Sequence, residues 1–149
     1  MTTIYTYNNK VLKNSSNDKW LKAPPAPPAY TLKLYGNDTT MAHMYVRGVN
    51  PTVESSYCNS LGLEETQESF LEHLNESYGY GAGIDMYNSN WYATLTFAPV
   101  ALSSISFEMR QESRHTFSYE ITNADTHEVV SSGNIQGTTS WTTYTLSLT

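Results

Sequence analysis

Trp91-Tyr-Ala-Thr-Leu-Thr-Phe97, Ile105-Ser-Phe-Glu-Met109 and Phe117-Ser-Tyr-Glu-Ile121 are the stretches that decide the fold. In each, an apolar or aromatic side chain stands at every second position, and Tyr, Thr, Ser or Glu fills the places between. A period of two puts the two sets on opposite faces of an extended strand. Val129-Val130, Ile135 and Trp141 to Leu148 continue the pattern, separated by the turn signals Asn123-Ala-Asp125, Ser132-Gly-Asn134 and Gly137. Short strands at this spacing, each with one apolar face, predict an antiparallel β-sandwich. Its expected core is Ile105, Phe107, Phe117, Tyr119, Ile121, Trp141 and Leu146.

Working towards the N-terminus, Tyr30-Thr-Leu-Lys-Leu34 and Met41 to Val46 read as two more strands, with Gly36-Asn-Asp38 as a turn and Gly48-Val-Asn-Pro51 as a stop. Between these and Trp91 lies the one segment with helical spacing, Leu63 to Tyr78. Phe70, Leu71, Leu74 and Tyr78 share a face there, opposite Glu64, Glu65, Glu68, Glu72 and Glu76. Gly79 is the expected stop. Gly79-Tyr-Gly-Ala-Gly83 reads as a flexible turn carrying Tyr80. The domain therefore spans residues 30–149, mainly β with one helical insertion near 63–78.

Residues 1–22 read as a separate extended arm. Ile4 to Tyr7, Lys10 to Lys13 and Lys19 to Lys22 are short strand candidates around turns at Asn8-Asn9 and Asn14 to Asp18. An element this small buries no core of its own, so Val11, Leu12 and Trp20 are expected to dock on another protein, with Lys13, Lys19 and Lys22 facing acidic groups. Ala23-Pro-Pro-Ala-Pro-Pro-Ala29 should form a polyproline II spacer, spanning about 20 Å at roughly 3.1 Å per residue.

Composition supports two surfaces with different partners. Of the 149 residues, 15% are charged and 13% aromatic, 12 of them tyrosine; that balance favours β structure and contact surfaces. All five lysines lie in the first 33 residues beside one acid, Asp18, a formal +4, whereas the remainder sets three arginines against 13 acids, a formal −10. The acidic body disfavours nucleic acid as a partner. No apolar run reaches transmembrane length, so no membrane partner is expected, and Met1 to Tyr7 lacks the apolar core of a secretory signal. The single cysteine, Cys58, reads as a small buried hydrophobe.

The chain carries no HExxH, GxSxG, phosphate-loop or CxxC pattern, and His43, His73, His115 and His127 lack ligand spacing. Glu108, Glu112 and Glu120 are the carboxylates that a glycosidase pair would draw on, but Glu108 and Glu120 fall on the polar faces of their strands, where exposed carboxylates are ordinary. No catalysis, cofactor or metal is expected. A local aromatic cluster does suit sugar binding: Tyr80, Tyr87 and Tyr92, with Asp85, Asn88 and Asn90 as hydrogen-bonding neighbours. Trp91 and Tyr78, in the same cluster, are assigned to the core.

Two resemblances add to this. Ala93-Thr-Leu-Thr-Phe97 leading to Ser104-Ile-Ser-Phe107, then Phe117 to Ile121, then Gly137-Thr-Thr-Ser-Trp-Thr-Thr-Tyr144, resemble a galactose-binding-like jelly roll of the kind found in carbohydrate-binding modules. That implies a glycan site, for which Tyr80, Asp85, Tyr87, Asn90 and Tyr92 are the candidates. Asn8-Asn-Lys-Val-Leu12 and Lys19-Trp-Leu-Lys22, followed by a proline spacer and a β domain, resemble the layout of tailed-bacteriophage virion appendages. The leading expectation is thus a virion structural protein, head or tail, present in an oligomer. Its arm would anchor it to other virion proteins, and its sandwich would be displayed outward. Recognition of a host or extracellular polysaccharide is the alternative.

Overall fold

The computed structural model describes residues 26–148. Of the segment before them it describes the backbone of two strands, β1 (Ile4–Tyr7) and β2 (Lys10–Asn14), paired antiparallel as a hairpin. Val11, Leu12 and Lys13 lie on β2, but their side chains, and Lys19, Trp20 and Lys22 altogether, fall outside the described residues, as does the expected third strand.

From Tyr30 onward the chain is an antiparallel two-sheet sandwich. The strands are β3 (Tyr30–Gly36), β4 (Ala42–Asn50), β5 (Val53–Cys58), β6 (Ala82–Met86), β7 (Tyr92–Phe97), β8 (Ser104–Gln111), β9 (Thr116–Asn123), β10 (Val129–Gln136) and β11 (Thr142–Ser147), with helix α1 (Gln67–Asn75) between β5 and β6. One sheet has the order β10-β9-β3-β7-β5 and the other β11-β8-β4-β6. The chain changes sheet at nearly every connection, which is the winding of a jelly roll.

The alternation read from sequence is the alternation observed. Leu32, Leu34, Ala93, Leu95, Phe97, Phe117 and Ile121 from the first sheet are buried with Met44, Val46, Ile84, Ile105, Phe107 and Met109 from the second. Leu146 is buried too, and Phe107 stacks on its cross-strand neighbour Tyr144 at 5.8 Å. Two expected core members differ. Tyr119 is half-buried at the core's margin, its ring against Gly133 of β10. Trp141 precedes β11 and lies on the outer face of the four-stranded sheet, stacked under the Arg47 guanidinium.

The helix is shorter than predicted at both ends. Thr66 caps it in a reciprocal pair with Ser69, so the chain before it is not helical: Glu64 has φ 67° and Leu63 is 96% exposed. At the other end Glu76 is extended, so Tyr78 never joins the apolar face and is 71% exposed. Phe70 and Leu74 are fully buried, each contributing about 1.5–3 kcal/mol relative to exposure.

The helix also closes one side of the sandwich. β5 and β6 are edge strands of the two sheets, and an open edge invites pairing with another chain. The Gln67 amide donates to the Cys58 carbonyl at 2.7 Å and accepts from its N–H at 3.1 Å. The Asn75 amide does the same for Val53, at 3.0 and 2.8 Å. Two helix side chains thus stand in for a neighbouring strand along β5. Cys58 beneath them is buried, and burial raises its thiol pKa, the environment of an inert cysteine.

Candidate functional site

The segment Asn59 to Glu65 covers the edge of β6. Asp85 N–H donates to the Ser60 carbonyl at 2.8 Å, and Gly62 N–H donates to the Gly83 carbonyl at 2.9 Å. Glu65 locks this arrangement: its carboxylate accepts from Gly83 N–H at 2.9 Å, from the Ser69 hydroxyl, and lies 2.9 Å from His73 Nδ1. With its side chain only 8% exposed, Glu65 is a buried carboxyl group with its hydrogen bonds satisfied, tying helix, loop and β6 together. Gly79 and Tyr80 form a bend, as the turn read from sequence requires, but Ala82 and Gly83 belong to β6, so the glycine-rich stretch runs directly into a strand.

This covering segment, β4 and β6 enclose a cleft of about 620 Å³. Its walls include His43, Tyr45, Glu64, Glu65, His73, Tyr80, Asp85 and Glu112. His43 and Asp85 are opposite each other on β4 and β6, and Nδ1 meets Oδ1 at 2.6 Å. Tyr45 donates its hydroxyl to Glu112 at 3.1 Å; burial, then that hydrogen bond, raises its pKa, so it is a neutral donor at physiological pH. Tyr80 stands at the rim, 80% exposed, on a segment held by Gly81. Gly81 has φ 77°, and a Cβ there would fall 2.8 Å from the Val46 carbonyl oxygen and 3.1 Å from the Trp141 ring, so only glycine brings Tyr80 this close to the sheet.

Of the five predicted glycan residues, Tyr80 and Asp85 are therefore brought together. Asp85 also lines a smaller cavity of about 320 Å³ with Asn59, Ser60, Leu61, Asn90 and Trp91. Tyr87 packs edge-on against Trp91 at 6.0 Å. Trp91 is half-buried at that cavity and is not core. Tyr92 is elsewhere, on the outer face of the five-stranded sheet, 6.2 Å from Tyr57 and beneath the Lys33 ammonium at 4.9 Å. The predicted platform is thus divided over three places.

Tyr45, Arg47 and Arg110, on the outer face of the four-stranded sheet, were missed by sequence reasoning. Arg47 lies 3.8 Å above the Trp141 ring, donates to Glu108 at 3.0 Å and to the Gly79 carbonyl at 2.7 Å. Arg110, directly across from Tyr45, lies 4.7 Å from the Tyr45 ring and 5.7 Å from Trp141. The available signal was strand alternation: Tyr45 sits between Met44 and Val46, and Arg110 follows Met109, so both must face outward. His115 also finds a carboxylate, Asp38 at 3.1 Å, and that bond lowers the Asp38 pKa. Among the described residues no group of three or more His, Cys, Asp or Glu side chains is placed to hold a metal, and no helix is long and apolar enough to cross a membrane.

No protein family, no curated protein and no solved structure matches the chain.

Proposed function

We propose that this chain is a binding protein whose sandwich recognises a carbohydrate in the cleft between β4, β6 and the 59–65 segment. The observation that carries this reading is the cleft itself: about 620 Å³, an exposed Tyr80 at its rim, and hydroxyl, imidazole and carboxylate groups fixed along its walls. A sugar ring needs an apolar face to stack on and directional partners for its hydroxyls, and a small number of fixed polar groups sets orientation. Binding suits these walls better than catalysis. Glu65 is spent on holding the loop, Asp85 on His43 and Glu112 on Tyr45, so the carboxylates are orienting groups.

A glycan array probed with the full chain tests this. Tyr80→Ala and Asp85→Asn should each weaken binding several-fold or more, while Tyr92→Ala leaves it unchanged. Binding that survives both cleft substitutions and is lost with Tyr92→Ala would move the site to the other sheet and sink the proposal.

A second reading concerns the arm, and the charge division favours it: a formal +4 in the first 33 residues against −10 in the remainder. In that reading the protein is a virion structural component. Residues 1–22 anchor it to other virion proteins, and the sandwich, repeated around an oligomer, is displayed outward. Removing residues 1–22 should leave the body folded and abolish incorporation into the particle; normal occupancy of the truncated chain would refute it.

A further inference from the structure

Arg110 is held differently from the other arginine on its sheet. Arg47 is committed: its Nε donates to Glu108, its Nη1 to the Gly79 carbonyl, and its plane covers Trp141. Arg110 has rings on two sides, Tyr45 and Trp141, and among the described residues it has no carboxylate or carbonyl partner. Aromatic contact restrains a guanidinium while leaving its in-plane N–H groups free, and those groups match a carboxylate two at a time. Tyr45 belongs both to this stack and to the cleft wall, and a Cβ on Gly81, also in the wall, would fall 3.1 Å from the Trp141 ring. The free guanidinium therefore lies across the Tyr45 ring from the cleft, one side chain from its wall.

We propose that Arg110 is a specificity residue for a carboxylate on the bound glycan, so that the cleft selects a sugar chain carrying an isolated acidic residue. This rests on the carbohydrate reading given above. The carboxylate would pair with the Arg110 N–H groups beside Tyr45, while the rest of the sugar chain lies in the cleft. One carboxylate on an otherwise neutral chain fits better than a polyanion. Glu108 and Glu112 stand nearby on the same face, and the body carries a formal −10, so each further negative charge meets repulsion.

Two matched pairs of probes separate the possibilities: sialyllactose with lactose, and glucuronosyl-xylotriose with xylotriose. Titrated calorimetrically against the full chain, the acidic member of at least one pair should bind about tenfold tighter than its neutral partner, the scale of a hydrogen-bonded charge. Which pair shows the preference identifies the source of the carboxylate. Arg110→Gln should erase the difference while leaving neutral binding as it was. Arg110→Lys should restore only part, because an ammonium lacks the planar fork. Arg47→Gln should leave the preference intact, and thermal midpoints should verify that each variant is folded. Equal affinities within both pairs, or an Arg110→Gln variant that weakens acidic and neutral probes alike, would overturn the role of Arg110 and leave the carbohydrate reading standing. No binding of any probe, together with an empty glycan array, would remove both.

Discussion

The two outer faces of the sandwich are built from the same materials and differ in what surrounds them. Each carries tyrosines with a cation over the ring: Lys33 over Tyr35 and Tyr92 on the five-stranded sheet, Arg110 over Tyr45 on the four-stranded sheet. On the first, the neighbours along the strands are Thr31, Thr94 and Thr96, with Thr31 and Thr96 facing each other at 3.4 Å. On the second, the 59–65 segment and the entry to β6 rise beside the sheet and make a walled cleft. An aromatic inventory alone does not locate a site. Concavity and fixed polar groups do, and here both come from the segment that covers the β6 edge.

The largest effect should come from the core beneath the cleft-bearing sheet. Phe107 is buried and stacks on Tyr144, so Phe107→Ala should cost about 3–5 kcal/mol in denaturant unfolding. A loss below about 1 kcal/mol would show that the sheet does not rest on it.

A loop position beside the same sheet comes next. A Cβ at Gly137 would fall 1.7 Å from Oε1 of the buried Gln111, the oxygen that accepts from His115 N–H. Gly137→Ala should therefore destabilise by about 1–3 kcal/mol, as overpacking does. An unchanged midpoint would mean that Gln111 has another place to go.

The helix that supports the cleft gives a change of the same order. Asn75→Ala leaves the Val53 N–H and carbonyl without their partner and should cost about 1–3 kcal/mol. It should also increase self-association through the uncovered β5 edge, read by light scattering. A monodisperse variant of unchanged stability would show that α1 does not guard that edge.

The smallest effect is electrostatic. The His115 hydrogen bond holds the Asp38 pKa below its ordinary value near 3.9. A carboxylate whose folded pKa is depressed contributes stability above that ordinary value, and the contribution is lost as pH falls through the lowered one. His115→Gln should raise the Asp38 midpoint in an NMR titration and flatten the acid limb of the stability curve. A midpoint that stays put would assign the shift to the Thr39 and Thr40 N–H groups instead.

How much of this was legible in the sequence follows from range of interaction. The strands from Tyr92 onward were readable because alternation is local and each strand has one apolar face. β5 and β6 were not: Val53-Glu-Ser-Ser-Tyr-Cys58 buries only its ends, and Ala82-Gly-Ile-Asp-Met86 buries nearly every residue, so neither alternates cleanly. The helix was recognisable from Phe70 and Leu74, but its ends are set by the Thr66 cap and by Asn75 reaching β5, a tertiary contact. Tyr80 and Asp85 were picked out as turn-borne polar groups, and their meeting in one cleft depends on Glu65 clamping Gly83. Trp141 was assigned inward as the first residue of the apolar pattern running to Leu148; the turn before β11 and the two arginines place it outside.

The most direct measurement is an amide NMR titration of the full chain with the four probe oligosaccharides. If the cleft is the binding site, shifts for at least one probe should concentrate at Tyr45, Gly81, Gly83, Asp85 and Glu112, with Tyr57, Tyr92 and Thr94 unmoved. Shifts that gather on Tyr57, Tyr92 and Thr94 instead, or no shifts with any probe at millimolar concentration, would contradict the account.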